Sequence, residues 1–173
     1  DNHTAVILKY PKNYSAEDNF FFQVKSMGIF AFSDKVVIIL DEYVPLFTGK
    51  IASNVRTVQD VIMKTLLLAI RHFESHLRVI NMCSDELEQA IVSSHDGREL
   101  INMFTLEKGL VYYVNALSGN LRVIERIRAA AGRMGFTADH VELLEDIGLT
   151  EDQVVCSSIP GYGIPLGEDI YEW

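Results

Sequence analysis

Residues 55–134, VRTVQDVIMKTLLLAIRHFESHLRVINMCSDELEQAIVSSHDGRELINMFTLEKGLVYYVNALSGNLRVIERIRAAAGRM, decide the fold. In the first half, Ile62, Leu66, Ala69, Phe73, Leu77, Ile80, Leu87 and Ile91 recur at steps of three, four or seven. A helix of 3.6 residues per turn gathers them into one apolar stripe. The second half repeats the pattern with Leu100, Met103, Leu110, Val114, Leu117, Leu121 and Ile124. At about 1.5 Å per residue each arm extends on the order of 50 Å, well beyond the usual helix of roughly three turns. Between them lies only Ser93-Ser94-His95-Asp96-Gly97. Two long helices joined this tightly are expected to fold back as an antiparallel hairpin. Gly97 either ends the first arm or opens the second, with Asp96 as its N-cap.

Upstream of this stretch the pattern is that of strands. Ala5-Val6-Ile7-Leu8 is a short apolar run ended by Pro11, and Phe20–Lys25 is aromatic and extended. Ser26-Met27-Gly28 reads as a kink or bulge, and Ile29–Phe32 continues beyond it. After a tight turn at Ser33-Asp34-Lys35, Val36-Val37-Ile38-Ile39-Leu40 is the clearest strand, with a composition that predicts cover on both faces. Strands joined by turns this short form a mainly antiparallel sheet. Ser53 or Asn54 is the expected cap of the first long helix. Gly109, Gly119 and Gly132 each cost a helix about 1 kcal/mol relative to Ala, and close packing is the expected reason for them.

Downstream, Gly135 breaks the second arm. Thr137-Ala138-Asp139-His140 reads as the capped start of a third helix, with Val141, Leu143, Leu144 and Ile147 apolar. Thr137 and His140 do not make a standard capping box, which wants Glu or Gln at the fourth position. Gly148 is expected to stop this helix, and Ile159-Pro160-Gly161-Tyr162-Gly163-Ile164-Pro165-Leu166-Gly167 is not helical. The organisation is α/β in content, of the α+β kind: a small mainly antiparallel sheet, then a long antiparallel helical hairpin and the start of a stalk-like helix. Residues 1–54 hold the sheet part, 55–135 the hairpin, 136–148 the start of the third helix, and 149–173 an irregular tail.

Composition bounds the function. The chain has 173 residues, 49% of them hydrophobic, and a formal net charge of -9. That is enough apolar content for a core and the wrong sign for a nucleic-acid partner, since phosphates need a basic surface. An acidic surface either attracts cations or keeps a protein in solution. Cys83 and Cys156 are too few and too far apart for a disulfide framework or a cysteine zinc site, so reduced thiols are expected. No apolar run approaches the 18 residues of a membrane span, and no secretory signal opens the sequence. Taken alone, the chain is expected to be soluble.

Motifs for catalysis are absent. His72 and His76 stand one helical turn apart, which is metal-ligand spacing. The intervening Glu74 does not make the zinc-protease pattern, which needs Glu directly after the first His. With Arg71 and Arg78 nearby, a solvated face is the expected reading. Asp85, Glu86 and Glu88 on one arm, and Arg122, Glu125, Arg126 and Arg128 on the other, fall at opposite ends of an antiparallel pair and read as surface charge. Tyr112-Tyr113 is expected to pack in the hairpin seam. No phosphate-cradling glycine loop and no nucleophile elbow is found. The chain is therefore not expected to be an enzyme.

The order of features resembles a known family. Ala5-Val6-Ile7-Leu8-Lys9-Tyr10-Pro11 is followed by the extended pair Val24–Phe32 and Val36–Ile39, and then by the two long helices. The second holds Leu106-Glu107-Lys108-Gly109-Leu110-Val111-Tyr112-Tyr113-Val114-Asn115-Ala116-Leu117. Over residues 1–147 this is similar to the cytoplasmic part of the CorA family of divalent-cation (magnesium or cobalt) transporters, and the helical string is the most specific part.

The resemblance implies a homopentameric magnesium, cobalt or zinc channel in the cell membrane. In it, Mg²⁺ bound between neighbouring cytoplasmic domains closes the pore. The membrane helices and their Gly-Met-Asn filter are not in this sequence, so the resemblance implies a fragment on the cytoplasmic face that does not conduct ions by itself. The tail segment Tyr162–Ile170 is similar to a family segment that normally precedes the first strand, and Asp169 then matches a regulatory Mg²⁺-binding Asp. The partner carboxylate comes from the early stalk, where Glu142, Glu145 and Asp146 stand, Asp146 fitting best by type. Mg²⁺ is hard, keeps several waters and needs only one or two protein carboxylates. Two carboxylates on adjacent subunits repel until an ion bridges them, so metal concentration is coupled to subunit geometry. No organic cofactor is implied. Two other readings stand beside this one: a domain of a zinc transporter of the ZntB type, and a non-transport scaffold whose hairpin mediates assembly.

Overall fold

The computed structural model describes residues 3–44, 55–93 and 97–157; of Ala16, residues 151–153 and residues 155–157 it describes the backbone alone. Three strands, β1 (Thr4–Pro11), β2 (Val24–Ala31) and β3 (Val36–Ile39), form an antiparallel sheet in the order β1-β2-β3. Three helices follow: α1 (Val58–Ser93), α2 (Arg98–Ala130) and α3 (Ala138–Ser157). This is the expected α+β arrangement, a small sheet followed by a long helical pair and a third helix.

Strand alternation divides the sheet into an inner and an outer face. Val6, Leu8 and Tyr10 of β1 and Met27, Ile29 and Ala31 of β2 are buried. They pack on Ile62, Met63, Leu66, Ala69 and Ile70 of α1, Ile124 and Ile127 of α2, and Leu144 and Ile147 of α3. The outer face carries Ile7, Val37 and Ile39, and Ile39 is 57% exposed. The expectation that β3 is covered on both faces is thus not met among the described residues. Its apolar run alternates inward and outward like any half-buried strand.

The register is unbroken across Ser26, Met27 and Gly28, which pair with Lys9, Leu8 and Ile7. No bulge forms there. Gly28 instead makes room for the Phe30 ring, which stands 3.1 Å from where a Cβ would lie. Nor is Phe20–Lys25 a strand throughout. Asn19 and Phe20 adopt positive φ, 46° and 65°, and turn the chain before β2 begins at Val24. That reversal sets Phe22 against α2 at Gly109, where an added Cβ would stand 3.2 Å from both the Phe22 Cβ and its carbonyl oxygen. Close packing therefore explains Gly109, although the neighbour is a loop and not a helix. It does not explain Gly119 or Gly132, which have nothing within 4 Å of a built Cβ.

Ser53 and Asn54 lie outside the described residues, and α1 is capped by Thr57. The Thr57 amide donates to Asp60 Oδ2 at 2.8 Å, and the Asp60 amide donates to Thr57 Oγ1 at 3.1 Å. This is a reciprocal cap with Asp in the usual place of Glu. In α2 the buried face is Leu106, Gly109, Tyr113, Ala116, Leu117, Asn120, Ile124 and Ile127. Leu100, expected in the stripe, is 47% exposed. Apolar residues occur all round the first half of α2, so periodicity alone did not choose the face.

Asn120 closes the seam between α2 and the sheet. Its Oδ1 accepts the Lys9 amide at 2.8 Å and its Nδ2 donates to the Lys9 carbonyl at 2.9 Å. The side-chain amide thereby pairs with the β1 edge as a neighbouring strand would.

The third helix does not stop at Gly148 but runs on to Ser157, so residues 149–157 are helical, not irregular. Gly148 lies 3.7 Å from Ile124 Cγ2 and 3.9 Å from Leu121 Cδ1 as measured from a built Cβ. The small residue sits at the contact with α2, and burial of Leu144, Ile147 and Val154 holds the helix together across it.

Candidate functional site

α3 presents two faces. Leu144, Ile147 and Val154 are buried against the hairpin, and Glu142, Glu145, Asp146 and Leu149 are exposed on the other side. Glu145 reaches Arg128 of α2 at 3.8 Å, a solvated ion pair of small energetic weight. Asp146 makes no such pair among the described residues, and its backbone carbonyl accepts the Thr150 hydroxyl at 2.9 Å. Glu142 and Asp146 are one turn apart on the same outer face. Two exposed carboxylates are hard oxygen donors with room for water around them. That donor set suits Mg²⁺, which asks for one or two carboxylates and keeps the rest of its shell as solvent. Among the described residues no group of three or more His, Cys, Asp or Glu converges to hold a metal ion. Asp169 lies outside the described residues.

The base of α3 is fastened to the base of α1. His140 Nδ1 accepts the Thr137 amide at 3.1 Å, and the His140 amide donates to Thr137 Oγ1 at 3.3 Å. Histidine here does the work of Glu in a capping box, against the sequence expectation. Because Nδ1 is an acceptor, the ring proton sits on Nε2, which donates to Asp60 Oδ1 at 3.1 Å. Burial opposes ionisation of Asp60, but the Arg56 and Thr57 amides, His140 and the Thr57 hydroxyl together hold its carboxyl far below the ordinary range. The caps of two helices are thus joined through one carboxylate. Gln59 adds a bond from Nε2 to the Met134 carbonyl at 2.7 Å, beside Gly135 with φ 72°.

A second cluster lies further along the hairpin. Tyr113 is buried, with Phe73 and Phe22 edge-on to its ring at 5.1 and 6.2 Å. The Tyr113 hydroxyl and His76 Nδ1 are 2.8 Å apart. His72 and His76 are half-buried, so the solvated face expected for them is corrected by the structure. The loop that carries Tyr14 and Phe22 covers that side of α1. Burial, and then the neighbouring His72, lowers the His76 pKa to about 4. Burial also lowers that of His72, against the pull of Glu42. Tyr113 packs in the seam as expected, whereas Tyr112 is exposed on its outer side.

No family model matches the chain, and no curated protein does. Among solved structures, the complete structure of the CorA magnesium transporter from Methanocaldococcus jannaschii is similar, with a TM-score of 0.76 at 19% sequence identity. The likeness covers 91% of this chain and 51% of that one. The fold is CorA-like.

The CorA-like fold spans both parts of the chain, the sheet and the long helices, since nine-tenths of the residues are covered. The chain spans about half the length of the transporter it resembles. No helix among the described residues is long and apolar enough to cross a membrane. Of the two predicted metal residues, Asp146 is placed on the open face of α3. The cap at Asp60, the part His140 plays in capping α3 and the His76–Tyr113 pair were not found by sequence reasoning. Thr57-x-x-Asp60 was there to be read, but the partners of His76 and His140 are 37 and 80 residues away.

Proposed function

We propose that this chain is the cytoplasmic regulatory part of a CorA-like divalent-cation transporter, sensing Mg²⁺ and gating a homopentameric pore in the cell membrane. The observation that carries the reading is the fold, shared with a magnesium transporter over 91% of this chain. It is supported by the open carboxylate face of α3, where Asp146 is free of any ion pair with Arg128. In this reading Asp146 and Asp169 of adjacent subunits repel each other until a hydrated Mg²⁺ lies between them. The cation itself supplies the charge that cancels this repulsion. The rest is done by the chain: α3, seated on the hairpin by Leu144 and Ile147, carries any change at Asp146 into the helical body.

The test is Mg²⁺ added at millimolar levels to the purified chain, read by thermal unfolding and sedimentation. A ligand at a hundredfold excess over its Kd stabilises by about 2.7 kcal/mol, which for a domain of this size is a rise of roughly 5–10 °C. The reading expects such a rise or a shift to oligomers, and its loss in Asp146→Asn. Neither effect in the unaltered chain would contradict it.

A further inference from the structure

The pair His72 and His76 lies on α1 and is not part of the carboxylate face of α3. The two residues stand one turn apart on α1, with ring centroids 4.6 Å apart. An imidazole nitrogen binds a first-row divalent cation at about 2.0–2.1 Å, which puts the ring centroid about 3.2 Å from the metal. Two such rings then lie about 4.5 Å apart for a right-angled arrangement and about 5.2 Å apart for a tetrahedral one. The observed separation falls within this range, with the two rings at 86° to each other.

The surroundings favour the same use. His76 Nδ1 is taken by the Tyr113 hydroxyl at 2.8 Å, and Nε2 has no hydrogen-bond partner among the described residues. A buried oxygen on the far ring nitrogen is the usual means of fixing a metal-binding imidazole in place. With a cation on Nε2, Nδ1 carries the proton and donates to the Tyr113 oxygen. Phe22 stands edge-on to the His76 ring at 6.0 Å and shelters it. Both rings are half-buried on α1, and an imidazole binds metal through a ring-nitrogen lone pair. The charge of Glu42, in the segment after β3, is felt at His72, but no third His, Cys, Asp or Glu among the described residues converges with the pair.

We propose that His72 and His76 form a two-histidine site for a borderline transition cation, of the class of Zn²⁺, Co²⁺ or Ni²⁺, with water completing the coordination shell. Imidazole nitrogen suits these ions and not Mg²⁺, which takes oxygen. This site therefore answers to a different metal from the carboxylate face of α3.

The experiment is a titration of the full 173-residue chain with Zn²⁺ in the presence of excess Mg²⁺, followed by NMR of the histidine ring nitrogens. The proposal expects the His72 and His76 ring signals to shift together at one equivalent, with those of His3 and His140 unmoved. His72→Ala and His76→Ala each weaken Zn²⁺ binding by at least about tenfold, and Tyr113→Phe by about tenfold, while Asp146→Asn leaves it unchanged. The ring-nitrogen shifts in the unaltered chain decide the matter even where a variant fails to fold. Static His72 and His76 signals, or Zn²⁺ affinity that survives both alanine variants, would overturn the proposal. Since Asp146→Asn separates the two sites, failure here and failure of the Mg²⁺ reading are distinguishable.

Discussion

Asn120 satisfies both backbone groups of Lys9 with one side chain, and it is itself buried. Asn120→Ala leaves an amide and a carbonyl at the β1 edge without partners. A cost of about 2 kcal/mol or more is expected, read as a lowered urea midpoint at unchanged slope; a change under about 0.5 kcal/mol would mean water replaces the amide freely. Acid should act at two residues in turn. The folded His76 value of about 4 lies below its ordinary 6.5, so between these values the unfolded chain binds a proton that the folded chain does not. Stability is full above pH 6.5 and falls as the pH drops toward 4. Asp60 is held below its ordinary 3.8, so its contribution is full above that value and is lost below it. Urea midpoints across pH should show the first decline shrink in His76→Gln and the second shrink in Asp60→Asn. Declines identical to those of the unaltered chain would contradict both assignments. Asn120 and Asp60 did not stand out in the sequence, and His76 stood out only for its spacing from His72; the partners of Asn120 and His76 are 111 and 37 residues away, and Asp60 caps with an unusual acid.

The helices were legible because their length multiplies a weak periodic signal. The α1 stripe from Ile62 to Leu87 is buried as predicted. The strands were legible in position but less so in environment, since a run such as Val36–Ile39 looks the same whether one face or two are covered. Glycine was the least readable residue. Gly109 admits the Phe22 backbone, a Cβ at Gly148 would only touch α2 at ordinary contact distance, and Gly119 meets nothing. The same substitution should then have opposite signs at two places in α2. Gly119→Ala should raise stability by roughly 0.5–1 kcal/mol, the gain in helix propensity. Gly109→Ala should lower it, because the new Cβ meets backbone at 3.2 Å, an overpacking that typically costs about 1–3 kcal/mol. Equal shifts in thermal midpoint at the two positions would show that Phe22 yields without cost.

At the scale of the molecule, a sheet three strands wide is clamped on a helical pair on the order of 50 Å long, and α3 is clamped to the same pair at its base and along one side. The Thr57–Asp60–His140–Thr137 linkage fixes the start of α3 to the start of α1, while its outer face stays open. The resemblance seen in Leu106–Leu117 and in the strand order led to the fold that the M. jannaschii transporter shares. The proposal of Asp146 and Asp169 as metal residues rests on that resemblance, because an exposed Asp on a helix, such as Asp146, carries no local signal. The most direct test replaces Mg²⁺ with paramagnetic Mn²⁺ and maps the broadening of backbone amide signals in the chain. The account predicts broadening centred on Glu142–Leu149 of α3, reversed by excess Mg²⁺, with Arg98–Phe104 at the far end of the hairpin unaffected. Broadening spread evenly over the acidic surface, or absent from α3, would contradict it.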